Sequence, residues 1–171
     1  MVDTIRAATL ADSDAIAALH SASWRSSYRG ILSDATLGPG LDEERRRHWR
    51  AKLESADPDD LVLMVEGLAF ITVWAKGDLG FGAYIDNLHV HPERRGGGIG
   101  RRLLQEAARR LGLRGERRAY LWVFDANVRT VELYLRLGGE IVERGLDEID
   151  CVKVPHSRVF WRDIASLISS R

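Results

Sequence analysis

Hydrophobic and polar positions follow two different periods along this chain, one typical of strands and one typical of helices. Apolar runs rich in β-forming residues predict strands over 61–65, 68–75 and 83–90. The first two runs are separated only by Glu66 and Gly67, a pair that predicts a tight hairpin turn. The first two strands are therefore expected to pair in antiparallel fashion.

Apolar residues at helical spacing predict four helices. The first follows Asp12 and Ser13, whose side chains can accept hydrogen bonds from the free amides of a first helical turn. Its packed face is predicted to hold Ile16, Leu19, Ser23 and Trp24, with Ala15 and Ala18 beside them. The second, over residues 42–54, is mostly polar and is expected to lie on the surface. The others are predicted from Ile99 to Gly112 and over residues 127–137.

Shorter strand patterns complete the prediction. Residues 119–124 form another apolar run, and weaker patterns lie at 4–9 and near 140–144 and 157–162. Strands and helices intermix along the chain and no internal repeat is present, so the sequence predicts one mixed α/β domain over residues 1–171.

Composition excludes several classes of protein. Hydrophobic residues make up 45% of the 171 residues and charged residues 29%, which is typical of a folded, soluble domain. The 25 basic and 25 acidic residues cancel, so no global field attracts nucleic acid or an anionic membrane. The single cysteine, Cys151, excludes an internal disulfide framework and suits a reducing cytoplasm. No signal peptide or membrane-spanning run is predicted.

The stretch RRGGGIGRR, residues 94–102, lies between a predicted strand and a predicted helix. A glycine-rich turn at a helix N-terminus presents free backbone amides at the positive end of the helix dipole, so an anion can bind there. The P-loop pattern is absent, and the dinucleotide pattern fails because Leu103 stands where its last glycine is required. Taken alone, the stretch is equally well explained as an ordinary turn with solvated arginines.

The residues LHVHPERRGGGIGRRLL resemble the central motif of the GCN5-related N-acetyltransferase (GNAT) superfamily, with Arg95, Gly98 and Gly100 at its defining positions. The later segment VFDANVRTVELYLRLGG resembles the second motif of that family, with Asn127 and Tyr134 seven residues apart. The resemblance extends over nearly the whole chain. It implies an α/β (α+β type) fold with a mixed, mostly antiparallel sheet of about seven strands flanked by helices.

The resemblance also implies a co-substrate, acetyl-CoA, and residues that bind it. The main chain of Leu88, His89 and Val90 would pair with the pantetheine arm, and Asn127 would hydrogen-bond the same arm. The pyrophosphate would lie on the turn formed by Arg95, Gly96, Gly97, Gly98, Ile99, Gly100 and Arg101. No metal is implied. His89 and His91 are one residue apart, but a third ligand is not evident, so a structural role is favoured for them.

Acetyl transfer to an amine sets requirements that candidate residues can meet. An alkyl ammonium of pKa ~10.4 is neutral only about once in 2,500 at pH 7, which adds about 4.6 kcal/mol to the barrier unless a base assists. The family implies Tyr134 as the acid for the CoA thiolate and the Val90 N–H as oxyanion donor. Asp86 is the candidate base, although a hydrogen-bonded strand aspartate is the more ordinary interpretation.

Several alternatives stay open at the level of sequence. A non-catalytic acetyl-CoA sensor of the same fold is one of them, but retention of Tyr134 favours catalysis. Nucleic acid and membrane partners are not expected, a homodimer is compatible with the family, and the acceptor amine is not identified. Trp24, Tyr28, Trp74 and Tyr84 are candidates for an acceptor pocket, and core packing explains each of them equally well. Gly139 replaces a usual aromatic residue, which predicts looser packing at the end of the last helix.

Overall fold

A computed structural model describes residues 4–149 and 151–169. The strands are β1 (Arg6–Ala7), β2 (Leu61–Val65), β3 (Ala69–Trp74), β4 (Ala83–Val90), β5 (Ala119–Phe124), β6 (Glu140–Ile149) and β7 (Val152–Trp161). The helices are α1 (Ser13–Tyr28), α2 (Gly40–Glu54), α3 (Ile99–Leu113), α4 (Val128–Arg136) and α5 (Ala165–Ser169). The strands form one sheet in the order β1-β2-β3-β4-β5-β7-β6. The β4–β5 pair is parallel, whereas the β1–β2, β5–β7 and β6–β7 pairs are antiparallel, so the predicted fold class is confirmed.

The chain divides into two compact units, each built from two stretches of sequence. Unit 1 comprises the residues up to Thr72 together with Asn87–Leu103, and unit 2 comprises Val73–Asp86 and Leu104 onward. None of the helices in the described ranges has the length and hydropathy that a bilayer crossing requires.

Two predictions about the helices of unit 1 are wrong in detail. Ala15 and Ala18 of α1 are exposed, and the positions that pack instead are Ala17 and His20. Helix α2 is not simply a surface helix, because Trp49 is fully buried. Its indole Nε1 donates a 2.9 Å hydrogen bond to His20 Nδ1, which fixes α2 against α1. Buried Leu41 and the hydrogen bonds from Arg25 of α1 to Asp42 of α2 add to this attachment.

The N-terminus of α1 also differs from the prediction. Asp12 does not cap the helix with its side chain. Its carboxylate accepts hydrogen bonds of 2.9 and 2.7 Å from the Arg6 guanidinium and one of 2.7 Å from the Thr9 amide. The hydrogen bonds from Arg6 lower the pKa of Asp12, although burial opposes this effect. The carboxylate thereby ties β1 to the start of α1.

Unit 2 contains a longer hairpin than the sequence predicts. Strands β6 and β7 pair from Glu140↔Phe160 to Ile149↔Val152, with one shift of register between Ile141 and Glu143. Cys151, in the turn between them, has a φ of 62°. Most of β6 is exposed, so it lacks the alternation that reveals a strand in sequence, and its pairing with β7 defines it instead. In the last part of the chain Val159, Phe160, Trp161, Ile164 and Leu167 are buried in unit 2.

Candidate functional site

The glycine turn in unit 1 has the backbone geometry that an anion requires. Strand β4 leads through a short 3₁₀ helix, Pro92–Arg94, to the turn before α3. Gly96 and Gly98 have φ values of 83° and 77°, and a Cβ at either position would meet nothing within 4 Å. The first hydrogen bond into α3 runs from the Arg102 amide to the Gly98 carbonyl, so the amides of Ile99 and Gly100 precede the ladder of the helix. An anion can therefore approach the main chain here.

Gly100 serves a different purpose from Gly96 and Gly98. A Cβ at Gly100 would lie 3.3 Å from Val90 Cγ2 and 3.9 Å from Leu88 Cδ2. The first turn of α3 therefore packs closely on β4, and Leu88 and Val90 share the face toward it, as the alternation predicts. The close contact fixes the start of α3 against the end of β4.

The Arg95 side chain is directed to helix α1. Its Nη2 donates to Ser23 Oγ at 3.1 Å and to Ser27 Oγ at 3.3 Å, and its Nη1 donates to Ser26 Oγ at 3.2 Å. Partial burial lowers the pKa of Arg95. The main chain of Arg95 enters the glycine turn, while its guanidinium is held by three serines that no sequence motif indicated.

His89 belongs to an aromatic cluster in unit 1. Its ring centroid lies 4.4 Å from that of His20 and 5.3 Å from that of Phe70, and its Nδ1 lies 2.9 Å from Ser23 Oγ. Burial lowers the pKa of His89 to about 3 and lowers that of His20 as well, with smaller effects from neighbouring cations. No group of three His, Cys, Asp or Glu side chains suited to a metal is found in residues 4–149 and 151–169.

Buried His20 and half-buried His89 predict a dependence of stability on pH. In the unfolded chain each returns to a pKa near ~6.5, so below that pH the unfolded state binds more protons than the folded state. The free energy of unfolding should therefore fall as the pH falls, approaching about 1.4 kcal/mol per pH unit for each histidine. Urea titrations at pH 7, 6 and 5 measure this slope in a range where carboxylates of unperturbed pKa ~4 contribute little.

Two matched variants test this origin. In His20→Asn and His89→Asn the amide oxygen can accept the hydrogen bond now made to Nδ1, but the side chain no longer titrates. In each variant the slope of the free energy of unfolding against pH should be smaller by the contribution of one histidine. A free energy of unfolding that stays constant in the parent protein from pH 6.5 to pH 5 would contradict the prediction.

Asp86 lies in unit 2 and is the last residue of β4 that belongs to this unit. Its Oδ2 accepts a 2.8 Å hydrogen bond from Trp74 Nε1. Burial raises the pKa of Tyr84, and the charge of Asp86 and a hydrogen bond with it raise that pKa further. The Tyr84 ring stacks on Tyr120 with centroids 5.0 Å apart. Asp86 is thus a hydrogen-bonded carboxylate on an aromatic surface.

The four aromatic candidates for an acceptor pocket separate into two pairs. Trp24 and Tyr28 contact each other edge to face in unit 1, with ring centroids 5.2 Å apart. Trp74 and Tyr84 flank Asp86 in unit 2. The second pair is therefore the one associated with a candidate catalytic group.

Arg158 on β7 extends the aromatic surface of unit 2. Its guanidinium carbon lies 4.3 Å from the Phe81 ring centroid and 4.8 Å from that of Trp122. Its nitrogens lie 3.1 Å from carboxylate oxygens of Asp78 and of Glu143. The charge of Arg158 is therefore compensated. Its partners are spread from residue 78 to residue 143, which explains why no local pattern revealed the cluster.

Tyr134 lies on α4, and Asn127 lies immediately before this helix. Tyr134 is 5% exposed, and its ring meets Trp161 edge to face with centroids 5.8 Å apart. Asn127 precedes the first helical residue with φ −86° and ψ 56°, and its Oδ1 accepts a 2.9 Å hydrogen bond from Thr130 Oγ1. Asn127 therefore precedes the helix that the sequence predicted to begin at residue 127.

The end of α4 is tightly packed, which corrects the expectation for Gly139. A Cβ there would lie 2.5 Å from Val159 Cγ1 and 3.1 Å from Trp161 Cε2. Trp161 is fully buried, and its Nε1 donates a 3.0 Å hydrogen bond to the Leu137 carbonyl. The Trp161 ring of β7 thus packs beside Gly139, the position after Gly138 where the usual aromatic residue is absent.

Comparisons with known proteins identify the family and the fold. The model of the acetyltransferase (GNAT) family matches residues 16–139. No curated protein matches the chain. PaiA N-acetyltransferase from Thermoplasma acidophilum, crystallised with coenzyme A, has a TM-score of 0.69 and 20% identity over 92% of this chain and 98% of that chain.

Two further solved structures share the fold. The ribosomal-protein-alanine N-acetyltransferase from Brucella melitensis has a TM-score of 0.70 and 20% identity, over 92% of this chain and 98% of its own. YncA from Salmonella typhimurium, solved with acetyl-CoA, has a TM-score of 0.66 and 18% identity, over 92% of both chains. At these identities the likeness establishes the fold and leaves the acceptor open.

Proposed function

We propose that this chain, which belongs to the acetyltransferase (GNAT) family, transfers an acetyl group from acetyl-CoA to a primary amine. The observation that carries the proposal is the turn before α3, where Gly96 and Gly98 adopt positive φ and leave open space beside the main chain. Backbone amides at a helix N-terminus suit a pyrophosphate. Coenzyme A and acetyl-CoA are bound in the PaiA and YncA structures, which supports the same ligand class here.

The residues of unit 1 fit the role of binding this co-substrate. The amides of Ile99 and Gly100 would hold the pyrophosphate, with the residues from Arg95 to Arg101 forming the cradle. The main chain of Leu88, His89 and Val90 would pair with the pantetheine arm, and the Val90 N–H would donate to the oxyanion. By the resemblance, Asn127 would hydrogen-bond the same arm.

The residues of unit 2 would handle protons. Acetyl-CoA supplies an activated thioester. The chain therefore has to take a proton from the acceptor amine and give a proton to the departing thiolate. Tyr134 is the proposed acid, and direct attack by the amine requires no covalent enzyme intermediate. Asp86 is the proposed base, acting directly or through a water. The hydrogen bond from Trp74 would orient its carboxylate.

The acceptor is a small molecule or a peptide amine, and the pairing of aromatic rings with Asp86 favours an acceptor that carries a positive charge before reaction. Nucleic acid is not among the proposed partners because the net charge is zero. With one cysteine, the protein suits a reducing cytoplasm. A homodimer is compatible with this function.

Thermal unfolding with acetyl-CoA, ATP or NAD tests the proposal. Acetyl-CoA at about 100 times its Kd should add ~2.7 kcal/mol to the free energy of unfolding, which raises Tm by about 5 to 10 °C. ATP and NAD should have much smaller effects. Release of CoA thiol with a panel of amines then separates an enzyme from a non-catalytic sensor. An unchanged Tm at millimolar acetyl-CoA would refute the assignment.

A further inference from the structure

The link between α1 and the glycine turn passes through Ser23. This residue is buried on α1, 4% exposed, and its Oγ lies 3.1 Å from Arg95 Nη2 and 2.9 Å from His89 Nδ1. Its carbonyl accepts a further, longer hydrogen bond of 3.5 Å from the same Arg95 nitrogen. Ser23 therefore contacts the residue that enters the turn and a residue of β4.

The hydrogen bond between Arg95 and Ser23 has a definite direction. An arginine nitrogen can only donate, so Ser23 Oγ is the acceptor from Arg95, and its own proton is available to His89 Nδ1. Burial lowers the pKa of His89 to about 3, so the ring is neutral at pH 7 and its Nδ1 can accept. The polar groups thus form one chain, from Arg95 to Ser23 to His89.

The position of Arg95 makes this chain relevant to ligand binding. Its backbone has φ −66° and ψ 152°, and the next residue, Gly96, has a φ of 83°. Three glycines follow Arg95, and glycine loses more conformational freedom than any other residue when it is ordered. A fixed residue just before these glycines restricts the turn in advance, which reduces the ordering cost of binding.

We propose that Ser23 is a positioning residue for acetyl-CoA binding, holding the Arg95 guanidinium against α1 and thereby fixing the main chain that enters the glycine turn. The inference rests on the proposed function, because it concerns the same turn. Ser23 acts through Arg95 and does not touch the ligand. The Ser26 and Ser27 hydroxyls add one hydrogen bond each from the same guanidinium.

A double-mutant cycle on the Kd for CoA tests the inference without relying on turnover. Ser23→Ala should raise the Kd about 10-fold, as expected when a hydrogen bond from a charged group is lost. In an Arg95→Ala background the same change should alter the Kd by less than about 2-fold, because the partner is already missing. Isothermal titration calorimetry gives all four constants. In the parent background KM for acetyl-CoA should rise while kcat changes little.

Matched variants separate positioning from general destabilisation. Ser21 is another buried serine of α1, 1% exposed, and it makes no hydrogen bond to Arg95. Ser21→Ala should therefore leave the Kd for CoA within about 2-fold of the parent value. Arg95→Lys leaves the interior of α1 intact and keeps the charge but loses the guanidinium fork, so it should weaken CoA binding about as much as Ser23→Ala does. It provides the test if Ser23→Ala does not fold.

The outcomes distinguish the two proposals. The role of Ser23 would be overturned if Ser23→Ala weakened CoA binding equally in the parent protein and in Arg95→Ala. It would also be overturned if neither Ser23→Ala nor Arg95→Lys weakened CoA binding. Either result would leave the acetyltransferase assignment in place. Failure of the parent protein to bind CoA would overturn the assignment and the inference together.

Discussion

Replacement of Tyr134 by phenylalanine is expected to lower kcat by about 100-fold while leaving the Kd for acetyl-CoA nearly unchanged. General acid catalysis by a positioned side chain contributes a factor of roughly 10² to 10⁴, and the substitution removes only the hydroxyl. The ring is buried and packs on Trp161, so a phenylalanine can keep the same place. Steady-state kinetics at saturating acetyl-CoA, combined with calorimetric binding, measure the two effects separately.

Tyr120→Phe is the matched control for this variant. Tyr120 is also a buried tyrosine of unit 2, 7% exposed, and its hydroxyl accepts a 3.1 Å hydrogen bond from the Asp78 amide. Its loss should cost about 1 kcal/mol of stability without a comparable loss of kcat. If Tyr134→Phe weakens acetyl-CoA binding strongly and leaves kcat intact, Tyr134 is a binding residue and another group protonates the thiolate.

The elements that could be predicted from sequence are those with a strong local signal. Strands β4 and β5 have the predicted bounds, Ala83–Val90 and Ala119–Phe124, because each is an apolar run ended by turn residues. Strand β6 is much longer than its sequence predicts. Its pattern of exposure follows no period of two, and only its pairing with β7, which no short window of sequence reveals, extends it to Ile149.

The glycine turn was predictable because backbone conformation and motif coincide there. Gly96 and Gly98 adopt positive φ, which few other residues tolerate, so the residue type indicates the geometry directly. The three serines that hold Arg95 were not predictable as its partners, because they lie about 70 residues earlier and a contact over that separation leaves no local pattern. The same holds for the hydrogen bond from Trp49 to His20.

Replacement of Gly98 by leucine is expected to raise the Kd for acetyl-CoA at least about 100-fold. Two effects contribute: a leucine at φ 77° is strained by about 1–2 kcal/mol, and its side chain fills the open space beside the turn amides. Loss of two hydrogen bonds to a charged phosphate, each worth about 1.5–3 kcal/mol, is enough for this change. Calorimetry with CoA measures it, and kcat at saturating acetyl-CoA should fall much less.

Gly115→Leu separates strain from occupation of the binding site. Gly115 has a φ of 85°, and a Cβ there would meet nothing within 4 Å. It follows the C-terminus of α3, whereas Gly98 precedes the N-terminus of the same helix. Both substitutions should therefore lower Tm by similar amounts. The C-terminal end of a helix presents carbonyl groups and a negative dipole, which repel a phosphate, so only Gly98→Leu should affect CoA binding. If both variants bind CoA as the parent protein does, the pyrophosphate lies elsewhere and the turn serves only to connect β4 to α3.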